Sequence, residues 1–238
     1  MNRRLLLLFV APIFIVLAAC SPTINLLDEN NLKDTSLLSD DPCEAPCWNG
    51  ITPGETSFRD AKILVEDDAR FMNVEEIEPE EESNARLFGF SEGEANICCQ
   101  ILSEEGDIID SMLFFLAPEM TLDAVIDKYG EPLYVLGEAP AEDQAIMFVI
   151  YPDVPMVIYA FVAGPAEGEL SGSSEIIGML YMTDPAMERL INNNSFYDWD
   201  GYQSYVTYID ENYDFVGAEV ESTDDASEDT ESDENEND

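Results

Sequence analysis

Across 238 residues, 9 Lys and Arg stand against 52 Asp and Glu, with no His, for a formal charge of −43. That balance leaves no basic patch for nucleic acid and no ionic adhesion to anionic lipid, and the missing histidine removes Ser-His-Asp, Cys-His and the common zinc-peptidase chemistries. Hydrophobic residues at 46% and aromatics at 10% are enough to bury a core, in one domain or two small ones.

The chain opens "MNRRLLLLFVAPIFIVLAAC". Arg3 and Arg4 precede an apolar run from Leu5 to Val16, the layout of a secretory signal that is too short to span a bilayer comfortably. The closing Leu17-Ala18-Ala19-Cys20 resembles the bacterial lipobox, which implies cleavage before Cys20 and acylation of its thiol and new amino group. A signal anchor that happens to contain a cysteine is the alternative. Residues 1–19 are thus expected to be a lipoprotein signal peptide. The exported protein is expected on the outer face of the cytoplasmic membrane or on the outer membrane, held stably because several acyl chains act together. Residues 20–41 read as the acylated cysteine and a tether, with leucines that have room to dock elsewhere.

Next comes "DPCEAPCWNGITPGETSF", with Cys43 and Cys47 four positions apart. With Cys98 and Cys99 they make an even set, which in an exported chain reads as disulfides. Cys98 and Cys99 lie in an expected strand and should point to opposite faces. The expectation is therefore Cys43–Cys98 with Cys47–Cys99, or the crossed pairing. Each bridge would close a loop of about fifty residues and contribute roughly 3–4 kcal/mol. A redox pair normally has two intervening residues rather than three, and a four-cysteine zinc site lacks its usual paired spacing. No metal or other cofactor is expected.

The folded domain is expected over 42–216. Thr56 or Ser57 can cap a helix whose Phe58, Ala61 and Val65 share one face. Thr121 heads a second helix carrying Leu122, Val125, Ile126 and Tyr129, closed by Gly130 and Pro132. Strands are expected after the first in "RLFGF", "NICCQIL" and "IIDSMLFFLA", and after the second in "LYVLG", "AIMFVIY", "PMVIYAFVA" and "EIIGMLYMT". The short links between them exclude parallel crossovers. The fold class is α+β: two helix-plus-antiparallel-meander copies, about 50–118 and 119–183, with helices packed on antiparallel sheet. An extension over 184–216 adds a helix from Asp184 and an aromatic segment in which Tyr202, Tyr205 and Tyr208 recur every three residues. That spacing suits an amphipathic helix on the sheet, or else an exposed aromatic surface. Residues 217–238 form an acidic tail expected to be disordered; eleven of the last twenty residues are Asp or Glu.

The motif "MTLDAVIDKYGEP" resembles small bacterial lipoproteins of the SmpA/OmlA (BamE) group, and the helix-then-meander plan is similar to β-lactamase inhibitory protein-like modules. Thr121, Val125, Gly130 and Pro132 carry the match in the second copy, Gly54 and Thr56 in the first. The second copy lacks the leading glycine and the first lacks the Gly-x-Pro exit. Lipobox and "PCWNGITPGET" together look like an uncharacterised group of secreted bacterial lipoproteins. These resemblances imply fold more than function.

No G-x-S-x-G, Walker or G-x-G-x-x-G pattern is present. The expectation is a non-catalytic binding or scaffolding protein of the cell envelope, acting through the sheet face or through Trp199, Tyr202 and Tyr205 with Asp198 and Asp200. Its partners would be the membrane, through the anchor, and an envelope protein. The alternative is a calcium- or glycan-binding surface lipoprotein, with weak calcium capture by the acidic tail. A hydrolase using a carboxylate pair is a third class.

Overall fold

A computed structural model describes residues 25–77 and 83–209. The expected signal peptide, Cys20 and the acidic tail lie outside the described residues.

Four helices and nine strands follow one another as α1 (Ser36–Ser39), α2 (Phe58–Asp67), β1 (Phe71–Ile77), β2 (Arg86–Glu92), β3 (Cys99–Ser103), β4 (Ser111–Phe115), α3 (Leu122–Tyr129), β5 (Tyr134–Ala141), β6 (Gln144–Tyr151), β7 (Met156–Val162), β8 (Ile176–Met182), α4 (Asp184–Asn193) and β9 (Tyr197–Asp198). All strands join one antiparallel sheet in the order β1-β2-β3-β4-β8-β7-β6-β5-β9. Each run of four strands after α2 and α3 is a meander, and the two meanders meet where β4 pairs with β8.

The helices start where local chemistry places them. Ser57 Oγ accepts the Asp60 N–H at 3.1 Å, and Phe58, Ala61 and Val65 are the buried stripe of α2. Thr121 occupies the N-cap position of α3 in extended backbone, without a capping bond from its hydroxyl, and Gly130 ends the helix at φ 82°. Thr183 Oγ1 accepts the Ala186 N–H at 3.3 Å to start α4.

Pleating sorts the strand residues into two faces. One carries cross-strand rows such as Phe88, Ile101, Met112 and Tyr181, and Phe90, Cys99, Phe114, Met179, Ile158 and Val149. These rows belong to the main core, together with the buried stripes of α2 and α3. The other face has only a small second core, in which Ile150, Val157 and Met182 pack under Met187 of α4.

Several expectations are corrected. Residues 25–41 are not a tether. Leu32 and Leu37 are fully buried, Leu32 exchanges backbone hydrogen bonds with Phe115 (3.1 Å) and Ala117 (2.9 Å), and the Leu37 carbonyl accepts from Lys128 Nζ and the Tyr129 hydroxyl, each at 2.7 Å. Apolar area decided this, against a polar local composition.

Neither long-range disulfide pairing is formed. Cys43 bridges Cys47 across a Cα–Cα distance of 5.6 Å, within the usual span. The smaller loop lowers the entropic contribution to about 2 kcal/mol. Cys98 precedes β3, where the backbone is not yet pleated, so its side chain converges with that of Cys99 instead of opposing it.

The first meander has a strand that was not expected, β1, with a bulge between Met72 and Glu75 and Asn73 at φ 54°. The third correction concerns the tyrosine triplet, which forms no amphipathic α-helix. Tyr205–Tyr208 is one 3-10 turn, and Tyr205 lies so close over Gly137 that a Cβ there would meet its ring at 2.8 Å.

If residues from 25 onward are structural, Leu32→Ala should destabilise the protein by about 2–5 kcal/mol in urea unfolding. A free tether would give a change near zero.

Candidate functional site

α4 covers only a corner of the second sheet face, and this exposes a surface that the opposite face does not have. Leu87, Leu102 and Leu113 point to this side and remain half-buried, with half-buried Phe115 and Leu180 at the margins, packed against the main core and the α4 core respectively. Ile97, 42% exposed, lies over Gly89, where a Cβ would meet its Cγ2 at 2.9 Å. At the β4–β8 seam Tyr159 leans over Gly178 in the same way, its ring 3.0 Å from the position of a Cβ. Two glycines thus let neighbouring side chains lie flat on the sheet, and the result is a mainly apolar surface on β2, β3 and β4, interrupted by half-buried Gln100 and Ser111.

The chain as a whole is strongly anionic. Lys62, Arg70, Arg86, Lys128 and Arg189 are all engaged by carboxylates, with Arg70–Asp68 and Arg189–Glu104 at 2.7 Å each and Lys128 against Asp40. Lys62 and Arg86 both reach Glu76, which ties α2 to β1, and their hydrogen bonds hold the Glu76 carboxyl below its usual range. The paired cations leave the remaining acids to set the sign of the surface.

The aromatic segment is only partly a surface. Trp199 is half-buried, stacks on Tyr208 at 6.4 Å and 9°, and meets Tyr202 edge-on at 5.8 Å. Tyr205 is buried in the main core, so it does not join Trp199 and Tyr202 outside. Asp198 and Asp200 are exposed; Asp198 sits opposite Tyr134 in the sheet, and the Asp200 N–H donates to the Tyr208 hydroxyl at 3.0 Å. The arrangement closes the β5 edge and offers Tyr202 alone as a large exposed ring, 43% accessible.

Cys43 and Cys47 are a structural bridge, and Cys98 and Cys99 lie inside the protein. Among the described residues no group of three or more His, Cys, Asp or Glu is placed to hold a metal ion, and no helix is long and apolar enough to cross a membrane.

The sequence pointed to the sheet face but not to the residues that matter on it. A signal was present in the unbroken run Met112-Leu113-Phe114-Phe115, because an antiparallel strand apolar on both sides needs cover on both, or else exposes one.

Comparison of the chain with family models, with curated proteins and with solved structures finds no match.

Tyr202 donates its hydroxyl to Asp123. Burial of the hydroxyl, this bond, and the negative charges of Asp123, Asp127 and Glu131 push its pKa up to about 12. An unfolded tyrosine ionises near 10, so the contact's contribution is complete below about pH 10 and is lost as pH rises through about 12. Burial pushes the Tyr159 hydroxyl up to about 12 as well, so ultraviolet titration of tyrosinate should lose the amplitude of one tyrosine near 12 in Tyr202→Phe and keep the rest.

Proposed function

We propose that this protein is a lipid-anchored lipoprotein of the cell envelope that binds a partner without catalysis, using the open face of its sheet. The single observation that carries the binding reading is the half-buried apolar surface of Leu87, Leu102 and Leu113, bordered by Phe115 and Leu180 and left beside the corner that α4 covers. Exposed contiguous apolar surface rimmed by charge marks an interaction site. The negative charge of the chain as a whole favours a partner that presents apolar side chains within a cationic rim, and would speed its arrival. The signal-like N-terminus with Cys20 supports export and acylation.

The two runs of a helix followed by four strands, 58–115 and 122–182, support a further reading as two copies of one unit joined at β4 and β8. On that reading, joining two meanders edge to edge gives a sheet broad enough to keep one face free after the other is covered.

Two measurements test the proposal. Cys20→Ala should lose incorporation of an alkyne-tagged palmitate and leave the membrane fraction. A photo-cross-linking residue at position 113 in intact cells should give one reproducible protein adduct, and the same residue at position 66, on exposed α2, should not. Equal adducts at both positions, or none at 113, would remove the sheet face as the binding surface.

A further inference from the structure

Cys98 and Cys99 have no part in the roles above, yet their two thiols lie directly against each other. Their Sγ atoms lie 2.6 Å apart, against about 2.05 Å in a disulfide. Both are buried, at 3% and 0% exposure. The backbone fixes them in this position: the Cys98 N–H donates to the Phe90 carbonyl at 3.2 Å, and the Cys98 carbonyl accepts from the Phe115 N–H at 2.9 Å.

We propose that Cys98 and Cys99 are a redox couple that closes reversibly to a disulfide between adjacent residues, with a small-molecule or protein disulfide as the oxidant. The two sulfurs are not equivalent. Cys98 stands before the strand begins, and the backbones of Glu92 and Leu32 face its sulfur. Glu92, and the Asn31 and Lys33 that flank Leu32, line an open depression of about 500 Å³ on this side, and Cys98 keeps 3% exposure where Cys99 has none. Cys99 points into the core among the rows of Phe90 and Phe114.

The ionisation preferences follow this geometry. The hydrogen bond from Cys99, with the backbone N–H groups, lowers the pKa of the Cys98 thiol despite its burial, and burial raises that of Cys99. Cys98 is therefore the attacking thiolate and Cys99 the resolving thiol.

The exchange balances without another reactant. Cys98 thiolate attacks one sulfur of the oxidant, forms a mixed disulfide and releases one thiolate. Cys99 loses its proton, and its sulfur attacks Cys98 Sγ and expels the second thiolate. Two thiols are oxidised to one disulfide, and the oxidant's disulfide is reduced to two thiols that take up the protons. The Cys43–Cys47 bridge in the same chain is in keeping with surroundings that supply such an oxidant. Adjacent Cα atoms are about 3.8 Å apart, below the usual disulfide span of about 4.4–6.8 Å. The bond should accordingly be more easily reduced than an unstrained structural bridge.

The test equilibrates the purified full chain with mixtures of glutathione and glutathione disulfide, alkylates it under denaturing conditions and digests it with trypsin. Cleavage at Lys33, Arg59, Arg86 and Lys128 places Cys43 and Cys47 in 34–59, and Cys98 and Cys99 in 87–128. As the disulfide fraction rises, peptide 87–128 should pass from two alkyl groups to none and lose two hydrogens, with no link to 34–59. Two alkyl groups at every ratio, or a bridge between the peptides, would overturn the proposal. In Cys99→Ser, glutathione should remain attached to Cys98, and in Cys98→Ser the remaining Cys99 should stay unmodified. An adduct on Cys99 in Cys98→Ser would overturn the assigned order of attack.

Discussion

The indole of Trp48 joins the N-terminal segment to three strands of the first meander. It is fully buried, with ring centroids 4.4 Å from Phe114, 5.5 Å from Phe71 and 5.7 Å from Phe90, so it touches β4, β1 and β2 at once. Its Nε1–H donates to Asp34 at 3.0 Å, which satisfies the one polar atom of the ring and fastens the N-terminal segment over the sheet. The Cys43–Cys47 bridge lies immediately before it, and paired backbone bonds between Trp48 and Ile51, at 2.9 and 2.8 Å, lie immediately after. A small covalent loop and a tight turn therefore fix the angle at which one large side chain enters the core. The entropic effect of so short a disulfide loop is modest, and its main effect is positional.

How far the sequence revealed this fold depended on whether the deciding interaction was local. Seven strands after the helices were legible because apolar runs and turn residues are local signals, and Ser57 and Thr183 cap through neighbours three residues away. β1 was not legible. "FMNVEEI" is half charged or polar on an edge, and its place is set by Phe71 meeting Trp48 and Phe90 far along the chain. Leu32 and Leu37 were hidden for the same reason, since nothing in "ENNLKDTSLLSDD" shows that Leu116 and Lys128 wait for them. The cysteine pairing failed at a strand boundary, one residue from where the alternation rule begins to apply.

The open sheet face shows the same division. Alternation assigns Leu113 and Phe115 to a face, but whether that face is covered depends on where α4 lands. Met187 and its neighbours land over β6, β7 and β8, and the β2–β4 side remains open. Among the described residues, this side of the sheet presents apolar side chains to water on a chain otherwise rich in carboxylates. Ile97 is the last residue before Cys98, so this surface and the dithiol share a backbone.

The docking of the N-terminal segment also limits how such a protein can stand on a lipid bilayer. The Leu26 N–H is bound by the Gln144 side chain at 2.8 Å, beside the β5–β6 hairpin. If Cys20 carries the proposed acyl anchor, the chain has only six steps from it to Leu26, a reach of at most about 20 Å even when fully extended. A domain leashed so briefly would ride against the headgroups with the Glu142–Asp143 end of that hairpin lowermost. Its acids would then be pressed toward any anionic lipid, and the resulting repulsion would tilt the molecule upright instead of letting it lie flat.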